Sequence, residues 1–334
     1  DIHGQHHKCT ALKISTDQGA VGWGLSSQEV KNSLDYLLDK NLADLISPDT
    51  GALPPVDRHM DFALYDLMGV ILNKPVYELL GNHGPRENPI YSGMIYLDEL
   101  EPPENPAGLD VILKNCEWDY QYGYRQLKVK IGRGGKWYPH DAGLDKDIEV
   151  IKMIYEEFKN RQVDILLDAN DIYTLEDTIA LFDGIGDIPI FWIEEPFREE
   201  ASDMRELKKW MRENGFTKTL YVDGEANPDH ALCLEMASEG TMDGFLPDIH
   251  GYGFTKWLEL MPILKRTRTV ASPHAWGNML KTHYIAHLAA GLGNVVTIEG
   301  VTCLSDDIDY GDYAIKDGKI RVSDDAGFGM KLLV

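Results

Sequence analysis

The chain has 334 residues, enough for one large barrel and a smaller domain. Its 55 acidic residues against 32 basic ones give a net charge of −23, which argues against nucleic acid as a partner, because phosphate binding needs a basic stripe. No apolar run approaches the roughly 20 residues that span a bilayer, so no membrane partner is expected.

In chain order, the sequence opens at Asp1 without a Met, so a start is expected to be missing, and no charged segment leads into an apolar one as in a signal peptide. The His-rich stretch 1–7 reads either as part of a capping lid or as a tag-like terminus. Residues 8–25 predict an antiparallel hairpin: 11–15 alternates, Asp17-Gln18-Gly19 turns, and 20–24 returns. Helical patterns follow over 28–46 and 57–73. In the second, Phe62, Leu64, Tyr65, Leu67, Met68 and Ile71 make a broad apolar face. From Pro89 onward, β-rich runs at 90–97, 126–131, 164–168, 190–194, 220–225, 244–248, 269–273 and 295–299 alternate with helical patterns at 145–158, 175–182, 204–211, 254–264 and 281–292. Such alternation predicts a parallel sheet, and eight strands predict closure into a barrel. A doubly wound open sheet is the alternative, but no Gly-rich phosphate loop follows the first strand. The tail, 313–334, alternates again and is expected to fold back on the first block. Cys9, Cys116, Cys233 and Cys303 lack metal or redox spacing and read as reduced thiols of a cytoplasmic protein.

The residues that close the strands carry the chemistry, because that end of an α/β barrel is its active face. Phe191-Trp192-Ile193 runs into Glu194-Glu195-Pro196, and Pro196 must stop the ladder. Lys128 and Lys130 share one face by period two. Asp168, Glu194 and Glu225 close three successive strands. At one level they repel unless a cation sits among them, and oxygen-only ligation favours Mg²⁺. The competing reading has each carboxylate merely capping the next helix. Asp223 shares the face of Glu225 by the same period and is the alternative ligand. Two close ammonium groups beside a cation are expected to lower each other's pKa, leaving a neutral amine for general-base work. The competing reading is a surface alternation on an edge strand. Asp248 and His274 end neighbouring strands, an arrangement that fixes the imidazole tautomer and raises its pKa. Trp276 and His140 are candidates for substrate contacts.

Taken together, the Lys-x-Lys of 128–130, Asp168, Ile-Glu-Glu-Pro at 193–196, Gly-Glu at 224–225, Asp248 with His274, and Glu299 resemble the enolase superfamily, mandelate racemase subgroup. The resemblance implies a (β/α)₇β modified TIM barrel (89–312), with an N-terminal α+β capping domain (1–88) completed by 313–334. It implies a small-molecule carboxylate substrate whose α proton is removed with Mg²⁺ assistance through an enediolate. Lys130 would face one side of the reacting carbon and His274 the other. Lys128 would hold the carboxylate and depress the pKa of Lys130. Glu299, in its protonated form, would bond a carboxylate oxygen, and Asn170 would contact substrate. Ile249-His250-Gly251-Tyr252-Gly253 departs from the racemase pattern, so His250 competes with His274 or contacts substrate. The family assembles as dimers or octamers, so a homo-oligomer is expected. Dehydration of an acid sugar to a 2-keto-3-deoxy acid is the reading chosen. Racemisation or epimerisation of a 2-hydroxy or 2-amino acid is the alternative, and a non-catalytic sugar-acid-binding barrel is the alternative of another class.

Overall fold

The computed structural model describes residue 3 and residues 8–334, so six of the seven residues in the His-rich stretch lie outside the described residues. The hairpin forms as expected, Thr10–Ser15 antiparallel to Val21–Ser26. It lies directly on the helix Asp61–Leu72. Two glycines permit that approach: a Cβ on Gly22 would sit 2.3 Å from the Leu67 nitrogen, and one on Gly24 2.7 Å from the Phe62 Cβ. The helix expected over 28–46 does not form. Three 3₁₀ turns stand there, Gln28–Asn32, Leu34–Leu37 and Leu42–Asp44. Between them Leu38 and Asn41 are extended and Asp39 takes a left-handed φ of 56°. Ser33, Asp39 and Asn41, residues of low helix propensity, stand at these breaks.

All eight expected barrel strands are present: Glu87–Ile95, Gln126–Lys130, Asp164–Asp168, Ile190–Glu194, Leu220–Asp223, Gly244–Phe245, Val270–Ala271 and Ile298–Gly300. Consecutive strands pair in parallel from the first to the seventh. The eighth returns to the first, Ile298 opposite Ile90, and a bridge between Ala271 and Val295 closes the ring. The predicted helices are longer than their apolar cores suggested: His140–Phe158, Leu175–Ile185, Ala201–Glu213, Ile249–Thr267 and Met279–Leu292. Asp110–Tyr122 and His230–Glu239 complete the seven crossovers of a (β/α)₇β barrel. Among the described residues, no helix is long and apolar enough to cross a membrane.

The tail does two things. Its hairpin, Ala314–Lys316 with Lys319–Arg321, adds antiparallel to the start of the first barrel strand. Residues 327–330 then reach the N-terminal block, where the Val76 N–H donates to the Gly327 carbonyl and the Trp23 Nε1–H to that of Met330. Asp66, 3 % exposed, joins both: its Oδ2 accepts from Trp23 N at 2.9 Å and its Oδ1 from Phe328 N at 2.8 Å. Burial raises its carboxyl from 3.8 to about 7, against those two N–H groups. A pKa raised on folding gives stability that is full below the unfolded value and lost as pH rises through the folded one. We therefore expect the stability advantage of wild type over Asp66→Asn, measured by urea unfolding, to shrink by a few kcal/mol between pH 5 and pH 8; a widening gap would contradict the assignment.

Candidate active site

Inside the barrel, Tyr91, Leu166, Trp192, Val222 and Leu246 form an apolar plug. Period two carries the inward face from this plug to Asp168 and Glu194, the last residues of the third and fourth strands, which are direct register partners. Lys128 and Lys130 face inward beside them. Ligand oxygens of Asp168, Glu194 and Glu225 lie within 4.8 Å of one another. Oε2 of Glu194 and Oε2 of Glu225 are buried and accept no hydrogen bond among the described residues. Buried carboxylate oxygens left without donors fit a hard cation such as Mg²⁺. Burial and then the neighbouring Asp168 push the Glu194 carboxyl well above its ordinary value, against Lys128.

Lys128 is almost fully buried, with its Nζ 3.2 Å from Asp168, 3.1 Å from Glu194 and 3.0 Å from Glu299. The Lys130 ammonium pairs with Asp168 and donates to Asn170 Oδ1 at 2.5 Å. Burial opposes the charge on both lysines, but the carboxylates outweigh it and hold both above their ordinary value. This is the reverse of the expected lowering: the lysines see opposite charge more strongly than each other. A dication among the same oxygens would cancel that pull.

His274 places Nδ1 2.9 Å from Asp248 Oδ2 and Nε2 3.0 Å from Glu225 Oε1. Burial lowers its proton affinity, but Glu299, Asp248 and Glu225 raise it above the ordinary value. Asp248 is itself fixed twice. Its Oδ1 caps the helix Ile249–Thr267, accepting from His250 N and Gly251 N, and its Oδ2 takes Lys281 Nζ at 2.6 Å. Glu299 Oε2 accepts from Ala275 N at 2.5 Å and Trp276 N at 2.9 Å. Burial alone would raise the Glu299 carboxyl, yet Lys128, His274 and the Ala275 N–H bring it below its ordinary value. These neighbours favour the ionised form of Glu299, whereas the resemblance implied a protonated one.

The period-two argument fails at Asp223. Gly224 adopts a φ of 117°, which turns Glu225 inward, while Asp223 groups outside the barrel with Glu199 and Cys233. His250 does not compete with His274. Its ring packs 5.2 Å from His59 and stacks on Phe62 of the N-terminal block, and burial and then His59 lower its pKa to about 4. His140 is also misplaced as a substrate contact: it is exposed at a helix start and bonds Asp141 and Asp177. Trp276, 46 % exposed, stacks 5.9 Å from Tyr96, whose ring lies 5.5 Å from Lys130 Nζ. Sequence reading missed Tyr96, Lys281 and Glu195. Tyr96 directly follows the first strand and Glu195 stands beside Glu194, so both had a strand-end signal; Lys281, inside a helix, had none.

With this geometry in view, the comparisons define the class. Residues 113–333 match the model of the enolase C-terminal domain-like family, and the chain belongs to that family. Within the enolase superfamily it falls in the mandelate racemase subgroup. It is 26 % identical over 216 residues to an arabinonate dehydratase of Saccharolobus solfataricus, covering 58 % of this chain and 54 % of that one. It is 22 % identical over 253 residues to a hydrophobic dipeptide epimerase of Enterococcus faecalis, covering 70 % and 64 %. The matches thus span about half to two thirds of these relatives' lengths. Solved structures of a galacturonate dehydratase from a Geobacillus species are 28 % identical with a TM-score of 0.87, covering 97 % of this chain and 84 % and 85 % of theirs. One is complexed with Mg, the other with D-galacturonate and 5-keto-4-deoxy-D-galacturonate.

Removing the Lys128 ammonium leaves its three carboxylate partners uncompensated, a loss of about 3–5 kcal/mol for a buried pair. We expect Lys128→Met to lower the melting temperature in EDTA, and Mg²⁺ to raise it more in the variant than in wild type. Equal Mg²⁺ shifts would show that the ammonium and the cation do not share these carboxylates.

Proposed function

We propose that this chain is a Mg²⁺-dependent acid-sugar dehydratase. One observation carries the reading. Two different acid/base groups bracket the carboxylate trio, Lys130 bonded to Asp168 at one end and His274 bonded to Glu225 at the other. The likeness to the galacturonate dehydratase supports it. Asp168, Glu194 and Glu225 would hold Mg²⁺, which supplies a Lewis acid for the substrate carboxylate and favours loss of the α proton.

The chain's own residues do the rest. Lys130 takes the α proton into its amine. His274, held in one orientation by Asp248, gives a proton to the departing β-hydroxyl. Lys128 balances charge on the substrate carboxylate. Glu299 holds the Ala275 and Trp276 N–H groups and so fixes the loop that carries His274. Tyr96 and Trp276 offer the carbon chain an aromatic wall at the mouth. In the same reading, 1–88 with 313–334 caps a catalytic barrel of 89–312. The same two groups would also permit epimerisation, which the similarity to an epimerase favours as the second reading.

The test is a screen of acid sugars with Mg²⁺, scored for 2-keto product and for deuterium uptake from D₂O at the α carbon. Dehydration predicts keto product. Exchange without it indicates epimerisation, and neither with any acid supports a binding barrel. Lys130→Ala and His274→Asn should each lower kcat by about 10²–10⁴-fold, the usual worth of a general acid or base, with far-UV circular dichroism unchanged. Full activity in both would overturn the assignment.

A further inference from the structure

Two of the three clustered carboxylates are placed by the sheet itself, since Asp168 and Glu194 end adjacent strands in register. The third is not. Its strand stops at Asp223, and Glu225 stands beyond it on an irregular bend, after the left-handed Gly224. Among the described residues no strand pairing reaches this bend: Arg198 donates to the Ala226 and Asn227 carbonyls, His274 meets the Glu225 side chain, and the backbone N–H of Glu225 needs a partner of its own. The neighbour of Glu194 supplies one. Glu195 is 1 % exposed, and its Oε1 accepts from both Glu225 N at 2.8 Å and Ala226 N at 2.7 Å. Its Oε2 accepts from Asn170 Nδ2 at 3.4 Å, and Asn170 Oδ1 in turn accepts from Lys130 Nζ. Glu195 also has a left-handed φ of 41°, a conformation that non-glycine residues seldom adopt. With both Oε1 bonds made to backbone N–H groups, Glu195 is unlike Glu194 and Glu225, each of which keeps a buried oxygen without a donor.

We propose that Glu195 is a positioning residue: it clamps the backbone of Glu225 and Ala226 so that Glu225 meets Asp168 and Glu194, and through Asn170 it ties that clamp to Lys130. This rests on the reading of Asp168, Glu194 and Glu225 as a cation site. Groups that hold a metal's ligands in place are typically worth 10–100-fold in affinity.

The test is calorimetric titration of the full chain with Mg²⁺ alone, without substrate. Glu195→Ala should weaken binding 10–100-fold. Glu195→Gln, whose amide oxygen still accepts both N–H groups, should return affinity to within about threefold of wild type. Glu194→Gln is the control for the cation site. Loss of binding in Glu194→Gln with none in Glu195→Ala would overturn the clamp alone. Binding equal in wild type and Glu194→Gln would overturn the cation site and the clamp with it. Glu195→Gln as weak as Glu195→Ala would also overturn the clamp, showing that the two backbone hydrogen bonds do not carry the effect. If Glu195→Ala does not fold, Glu195→Asp, which draws the oxygens back by one methylene, takes its place with the same expected loss.

Discussion

Everything at the barrel mouth depends on the need to neutralise buried charge. Five carboxylates, Asp168, Glu194, Glu225, Asp248 and Glu299, face Lys128, Lys130, Lys281 and the His274 imidazole within a network of short ion pairs. With the imidazole protonated, one negative charge is left over. A dication arriving with a monocarboxylate leaves the mouth neutral, whereas either alone would not. These side chains are largely buried, so such a balance weighs more than it would at a surface.

Much of this was legible because a barrel strand is an apolar run that ends in its functional residue. The run through Trp192 to Glu194 and the run through Leu166 to Asp168 show it directly, since inward apolar residues and inward carboxylates lie two apart. Where the backbone leaves the pleat, the rule stops working. Gly224, a single left-handed residue, breaks the alternation, so that Glu225 and Asp223 fall into different groups of carboxylates. Roles set by three-dimensional meeting were illegible for a different reason. Lys281 reaches Asp248 only because consecutive crossovers stack at the mouth, and His250 is drawn under the N-terminal block by His59 and Phe62. The pKa of Lys130 or Glu299 depends on every neighbour, and the sequence shows only the adjacent ones.

The segment 28–46 failed differently. Its apolar residues recur at helical spacing, yet Asp39 and Asn41, poor helix formers, lie between them, and the backbone turns left-handed at Asp39 where the run breaks into 3₁₀ turns. The helix Asp110–Tyr122 illustrates the opposite error. Its inner side includes the buried polar residues Asn115 and Asp119, which weaken the apolar stripe that a reader of the sequence looks for. Asn115 finds Asp98 and Asp119 finds Ser92, so polar partners do part of the work that apolar contact does elsewhere.

The first barrel strand has its own consequence. Its early residues, Glu87 to Pro89, pair with the tail hairpin, and Ile90 to Ser92 pair with the last barrel strand. Both partners lie about 200 residues further along the polypeptide. Contacts of such long sequence separation carry a large loop-closure cost and form late. Until those distant segments arrive the first strand lacks these partners and the sheet cannot close, so Glu299 comes to lie beside Tyr91 only with the last pairing of the ring.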